Sequence, residues 1–230
     1  MSQIRKKLHH ARTQQAYVRV ERALKISVGF LEGFVVGVGK EWALLAQTSD
    51  GGWPDGYIAF RLADVKSIRS NTGVSETFAR LQIDWPPSNP FTGVDLNSVA
   101  GVITGLAAGQ QLVGIEKERE RDALWIGQLD DIWPKWVWLD EVDSTGTWLP
   151  APLGYRLRRI TTVRTGTRYM QALSQVAGNR NTQTTSIASP ASRTITVTNC
   201  ESHHQAVQLS ELVSDGNALR EFSTWRRCFA

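Results

Sequence analysis

The residues with the types needed for chemistry are few and poorly spaced for it. The four histidines fall in two adjacent pairs, His9-His10 and His203-His204. Metal ligation needs side chains that converge on one point, whereas helical neighbours splay apart. No Cys, Asp or Glu stands at ligand spacing beside either pair, so both are expected to be solvated. Asp130-Asp131 has the composition of an acid pair, but successive strand residues point to opposite faces, which suits a surface position. Gly29, Gly33, Gly37 and Gly39 do not form GxGxxG, and no Lys-Ser follows them to cradle a phosphate. Cys200 and Cys228 lack CxxC spacing and read as free thiols. Triads assembled from distant positions leave no mark in spacing. No catalytic residue, cofactor or metal ligand is therefore assigned, and a noncatalytic protein is expected.

Two other groupings point to binding. The stretch KWVWLDEVDSTGTWLPAPL, residues 135–153, sets tryptophans among acids, with turn residues at Asp143-Ser144-Thr145-Gly146. Trp136 and Trp138 alternate, so in a strand they share a face. Trp136, Trp138, Trp148, Asp140 and Glu141 are the candidate partner-binding residues, since tryptophan is enriched at binding hot spots. Downstream, Arg156, Arg158, Arg159, Arg164 and Arg168 occur without an acidic neighbour, and Arg5, Lys6, Lys7, Arg12, Arg19, Arg22 and Lys25 crowd the start. The five later arginines are the candidate nucleic-acid residues. A net charge of +4 implies no nucleic acid by itself; its uneven distribution suits nucleic acid or a complementary protein face.

These residues sit on a chain that repeats itself. Arg61-Leu62, Val65, Ile68 and Arg69 return as Arg156-Leu157, Ile160, Val163 and Arg164, all at a spacing of 95 residues. Upstream, WALLAQ (42–47) matches ALWIGQ (123–128), Trp53-Pro54 matches Trp133-Pro134, and Val36-Gly37-Val38 matches Val113-Gly114-Ile115. Within each copy the short β-branched and apolar runs read as strands, the glycines in VVGV and LVGI as bends. LADVKSIR and LRRITTVR place apolar residues three apart, as one helical turn leading into a last strand. From Asp95, a plausible N-cap, LNSVAGVITGLAAGQQ reads as an amphipathic helix, and Gly101, Gly105 and Gly109 would let another backbone approach. The expected organisation is a basic N-terminal helix at 1–22, one domain at 23–87, a linker and Gly-rich helix at 88–111, a second domain at 112–177 with a hairpin insertion at 135–153, and a flexible polar arm at 178–230.

A helix followed by about five short bent strands, twice over, describes a mainly β chain of two small Sm-like or SH3-like barrels, each preceded by a helix. The chain resembles a tandem pair of bacterial Sm-like small β-barrels. Gly37-Val38, Leu44-Leu45 and Asp64-Val65-Lys66-Ser67-Ile68 carry the likeness in one copy. Gly114-Ile115, Trp125-Ile126 and Ile160-Thr161-Thr162-Val163 carry it in the other. Neither copy has the I/L-R-G or the loop asparagine of the uridine-binding members, so their RNA site is not carried over. The resemblance implies edge-to-edge association, hence a protein partner or a homo-oligomer; RNA or ssDNA binding is the alternative. Without a leader-like start or a run of about 20 apolar residues, a cytoplasmic protein is expected.

Overall fold

In the computed structural model, residues 2–24, 28–70, 73–82, 89–118 and 123–180 are described. The chain opens with α1 (Gln3–Thr13), whose N-terminus is capped by the Ser2 hydroxyl accepting from the Arg5 amide. Only Leu8 and Ala11 of this helix are buried. The helix expected over 1–22 thus stops at Thr13, and Tyr17–Ala23 is strand β1. The physical reason is local: Val18-Arg19-Val20-Glu21 alternates β-branched with charged residues, a period of two that no helix satisfies.

Nine more strands follow: β2 (Val28–Val38), β3 (Trp42–Thr48), β4 (Pro54–Arg61), β5 (Val65–Ser70), β6 (Val113–Lys117), β7 (Trp125–Trp133), β8 (Trp136–Glu141), β9 (Leu153–Arg156) and β10 (Ile160–Thr165). Three helices punctuate them: α2 (Val74–Gln82), α3 (Val99–Ala107) and α4 (Arg168–Ala177). As the three-residue spacing predicts, single 3-10 turns at Leu62–Asp64 and Leu157–Arg159 lead into β5 and β10.

All ten strands join one antiparallel sheet in the order β5-β1-β2-β3-β4-β10-β6-β7-β8-β9, and this sheet does not close into a barrel. The expectation of two barrels is corrected on this point. A strand has two edges, and β4 gives its second one to β10 across the middle of the chain, so β4 cannot also close on β5. The described residues up to Asn179 accordingly belong to one compact unit.

Each run of five strands nevertheless has the same order, last-first-second-third-fourth. That order corrects the internal alignment. WALLAQ lies on β3, the third strand of its run, whereas ALWIGQ begins β7, the second strand of the other. Pro54 opens β4 whereas Trp133 closes β7, and the VGV/VGI pair falls on β2 and β6, again non-corresponding strands. The counterpart of β3 is β8, and the registers agree: Trp42 faces Arg61 as Trp136 faces Arg156, and Leu44 faces Ala59 as Trp138 faces Gly154. Residues 136–141 are therefore an integral strand of the sheet, and only the segment 142–152 lies outside it as a loop. The pairing also confines the 95-residue match to where it is structurally real, the β4–β5 and β9–β10 stretches.

β3 is buried along both faces. Ala43 and Leu45 pack with Val18, Val20, Leu31, Ile58 and Phe60 beneath Leu8 and Ala11 of α1. Trp42, Leu44 and Ala46 pack on the opposite side with Phe91 and Leu96 from the segment after α2. In the second run, Val137, Leu139, Tyr155 and Ile160 pack with Val102, Ile103 and Leu106 of α3. Burying each such large side chain contributes about 1.5–3 kcal/mol, which outweighs the helix cost of two glycines in α3 at about 1 kcal/mol each. Ser98, not Asp95, caps α3; Asp95 instead accepts from the Ser98 hydroxyl and the Asn97 amide. The close approach expected at three glycines is met at two: Gly101 meets the side chain and backbone of Asp95 and Gly105 the side chain of Val94, whereas a Cβ at Gly109 would meet nothing within 4 Å.

Candidate interaction surface

Strands β5 and β9 end the sheet, each hydrogen-bonded on one side only among the described residues. Which groups β9 offers follows from alternation. The Leu157 amide donates to the Lys135 carbonyl, so in the antiparallel ladder residues 157, 155 and 153 address β8. The backbone N–H and C=O of Gly154 and Arg156 then face the open side. At the inner seam the Leu62 amide donates to the Glu41 carbonyl in the same way, which turns Ala59 and Arg61 toward β10.

Beside the β9 edge lies a tryptophan face. The two-residue turn Pro134-Lys135 brings Trp133 opposite Trp136. Trp136, Trp138 and Asp140 share one face of β8, and the ring of Trp138 lies over Gly154, where a Cβ would come within 3.0 Å of it. Trp133 and Trp138 meet edge-on at 5.3 Å, and the Trp133 indole donates to Asp131 at 2.8 Å. The Arg156 guanidinium stands 5.1 Å over the Trp136 ring. Trp136 of the partner-binding set and Arg156 of the nucleic-acid set therefore form one surface. Trp133, which the sequence places among the tryptophans around the acids, was not among the partner-binding candidates; Pro134-Lys135 is not one of the glycine-containing pairs that mark a two-residue hairpin, so its place opposite Trp136 shows only in the sheet.

The other candidates are elsewhere. Glu141 points to the opposite face of β8, where it is buried and accepts from the Tyr155 hydroxyl. Burial pushes its carboxyl above the usual range, a rise that the Tyr155 bond and the nearby Lys117 only partly offset. Lys117 itself sits 3.7 Å from the centre of the Trp125 ring. Trp148 packs near α4 and donates to the Ala177 carbonyl, while Asp143 accepts from the amides of Thr145 and Thr147 to hold the loop. Arg158 and Arg159 are exposed. Arg168 begins α4, its guanidinium over Trp53 and its amide bonded to Asp55.

Arg164 lies 2.7 Å from Glu116 in an ion cluster beside the central seam. Arg22, with a side chain only 4% exposed, lies 3.3 Å from the same carboxylate. Burial alone would raise Glu116, but Arg164 and Arg22 outweigh it and hold the carboxyl below the usual range. Arg61 of β4 grips Asp64 with two nitrogens, reaches Glu118 at 2.6 Å and donates to the Arg158 carbonyl, tying the two strand runs together. The arginines thus do not form one strip: Arg164 is committed to structure and Arg168 to the β4 side.

Among the described residues no three His, Cys, Asp or Glu converge as metal ligands, and no helix is long and apolar enough to cross a membrane. Cys200, Cys228, His203-His204 and the arm from 181 on lie outside the described residues. No family model, curated protein or solved structure matches this chain.

Proposed function

We propose that this is a noncatalytic assembly protein built from a duplicated Sm-like five-strand unit that self-associates through its two open edges. One observation carries the reading: the fourth strand of the first run already pairs with the last strand of the second, β4 with β10. Their counterparts, β9 and β5, are the two edges left open. The pairs Ile58↔Arg164, Ala59↔Val163 and Phe60↔Thr162, moved by the 95-residue spacing, become Leu153↔Arg69, Gly154↔Ile68 and Tyr155↔Ser67 between two copies. Such a contact is head-to-tail, so it generates a ring where the rotation closes and a filament where it does not.

A register-specific disulfide tests it. Leu153 and Arg69 would form a non-hydrogen-bonded pair with Cα atoms about 4.5 Å apart, within disulfide reach. In a background with Cys200→Ser and Cys228→Ser, Leu153→Cys and Arg69→Cys are placed in separate preparations. Mixed and oxidised, they should yield a covalent dimer that neither yields alone. A Leu153→Cys dimer by itself would mean a symmetric edge contact and overturn the head-to-tail reading, as would a native oligomer that never cross-links.

The second reading, RNA or ssDNA binding, draws on Arg156 over Trp136 with exposed Arg158 and Arg159 alongside. It requires affinity that falls steeply with salt and on Arg158→Glu with Arg159→Glu.

A further inference from the structure

The two strand runs differ in what covers them. Trp42 and Trp136 hold equivalent places, each opposite the arginine that ends the next strand. Trp42 is 2% exposed, because residues 89–97 run over it: Phe91 and Leu96 pack in its cluster, and its amide donates to the Leu96 carbonyl. Trp136 and Trp138 are by contrast only half-buried. Neither ring belongs to a core cluster, Trp133 is 38% exposed, and the Trp138 indole N–H is buried with no acceptor among the described residues. Three adjoining tryptophans left in this state form an incomplete layer rather than scattered surface residues.

The covered run also indicates the charge of what is missing. Residues 89–97 read NPFTGVDLN, apolar with a single acid. Asp95 stands beside the turn before β3: the Asn97 amide donates to its carboxylate at 2.9 Å and the Lys40 amide donates to the Asn97 side chain at 2.9 Å, and the charge of Lys40 adds to the hydrogen bonds from Asn97 and Ser98 that hold Asp95 below its usual range. The corresponding turn before β8 carries exposed Lys135, with exposed Arg156 beside it. A phosphate backbone fits less well, since Asp131 and Asp140 are on or beside the same tryptophans.

We infer that the Trp133, Trp136 and Trp138 face is a docking site for an extended peptide segment of a partner protein, apolar with one acidic residue directed at Lys135. The segment would repeat on the second run what residues 89–97 do on the first, with its apolar side chains over Trp136 and Trp138. The inference uses a face of the sheet, not its edge, so its failure leaves the cross-linking result for β9 and β5 untouched.

The test uses the full chain labelled with 5-fluorotryptophan and the capped synthetic peptide NPFTGVDLN as probe. Trp133→Phe, Trp136→Phe and Trp138→Phe each assign one fluorine resonance while keeping an aromatic ring. The expected result is a saturable shift of these three resonances only, weakened at least about 5-fold by Lys135→Glu or by asparagine in place of the peptide's aspartate, a change of about 1 kcal/mol. No shift at millimolar peptide overturns the inference, as does a shift confined to Trp42, which would mean exchange at the first run. A shift of the same three resonances by oligo-dT but not by peptide assigns the face to nucleic acid instead.

Discussion

Replacing Arg156 by proline separates the fold from the assembly. Arg156 has φ −71° and ψ 117°, within the range proline requires, and the preceding residue is in a strand, as proline also demands. Its N–H faces the open side of β9, so no hydrogen bond inside the chain is lost. The substitution removes the contact with Trp136, worth about 0.5–1 kcal/mol at an exposed site, and regains about 0.4–1 kcal/mol by restricting the unfolded chain. Stability should therefore stay within about 1 kcal/mol of the parent. Assembly should not. With the contact carried one residue past the pairs Leu153↔Arg69, Gly154↔Ile68 and Tyr155↔Ser67, the edge loses one donor, worth about 0.5–1.5 kcal/mol, and leaves a partner carbonyl unsatisfied at about 1–3 kcal/mol. A combined loss of at least about 1.5 kcal/mol weakens association roughly 10-fold or more. Sedimentation velocity over a concentration series, with a thermal melt of the same samples, reads both quantities. Arg156→Ala, which keeps the N–H, is the control and should assemble. If Arg156→Pro assembles like the parent, or if Arg156→Ala fails equally, the backbone edge is not the contact and the reasoning is refuted.

Two further predictions concern the buried carboxylates. Glu141 has a folded pKa raised above its ordinary 4.5, so ionising it costs stability, and that cost grows as pH rises from about 4.5 through the folded value. Glu141→Gln, which still accepts from Tyr155, should raise the denaturation midpoint at neutral pH, with the gain vanishing below about pH 4; a gain independent of pH would contradict the assignment. Glu116 behaves in the opposite sense: its folded pKa is depressed, so its contribution is present above about 4.5 and is lost as pH falls through the folded value. Glu116→Ala leaves Arg22 buried opposite an empty place and should cost about 3–5 kcal/mol by urea titration at pH 7. A cost below about 1 kcal/mol would show that Arg22 escapes to water.

Much of the local structure was legible in the residues. The three-residue spacing of Leu62-Val65-Ile68 and Leu157-Ile160-Val163 encodes one helical turn before a strand, and a turn is a contact between near neighbours. Asp143-Ser144-Thr145-Gly146 is a turn for the same reason, since the Asp143 carboxylate bonds amides within four residues. Trp136 and Trp138 share a face because strand geometry has a period of two.

What the sequence misaligned were buried strands. WALLAQ and ALWIGQ look alike because both supply apolar residues to a core, and hydrophobicity does not record which neighbour a strand takes. The separation of Glu141 from Trp138, and of Arg164 from Arg156, was equally hidden. Glu141 is one residue out of phase with Trp138, and Arg164 meets Glu116 only after β10 has inserted between β4 and β6.

The sequence by itself determined many of the elements: short strands, single turns, the Gly-rich helix and a line written twice, all from interactions spanning a few residues. Only the tertiary structure decided that the two runs share one open sheet, and that one tryptophan face is covered by residues 89–97 while its counterpart is only half-buried among the described residues. Those outcomes depend on which edges and faces meet across some hundred residues of chain. Backbone hydrogen bonds at a strand edge are nearly the same for every residue type, so the side chains leave that choice unwritten.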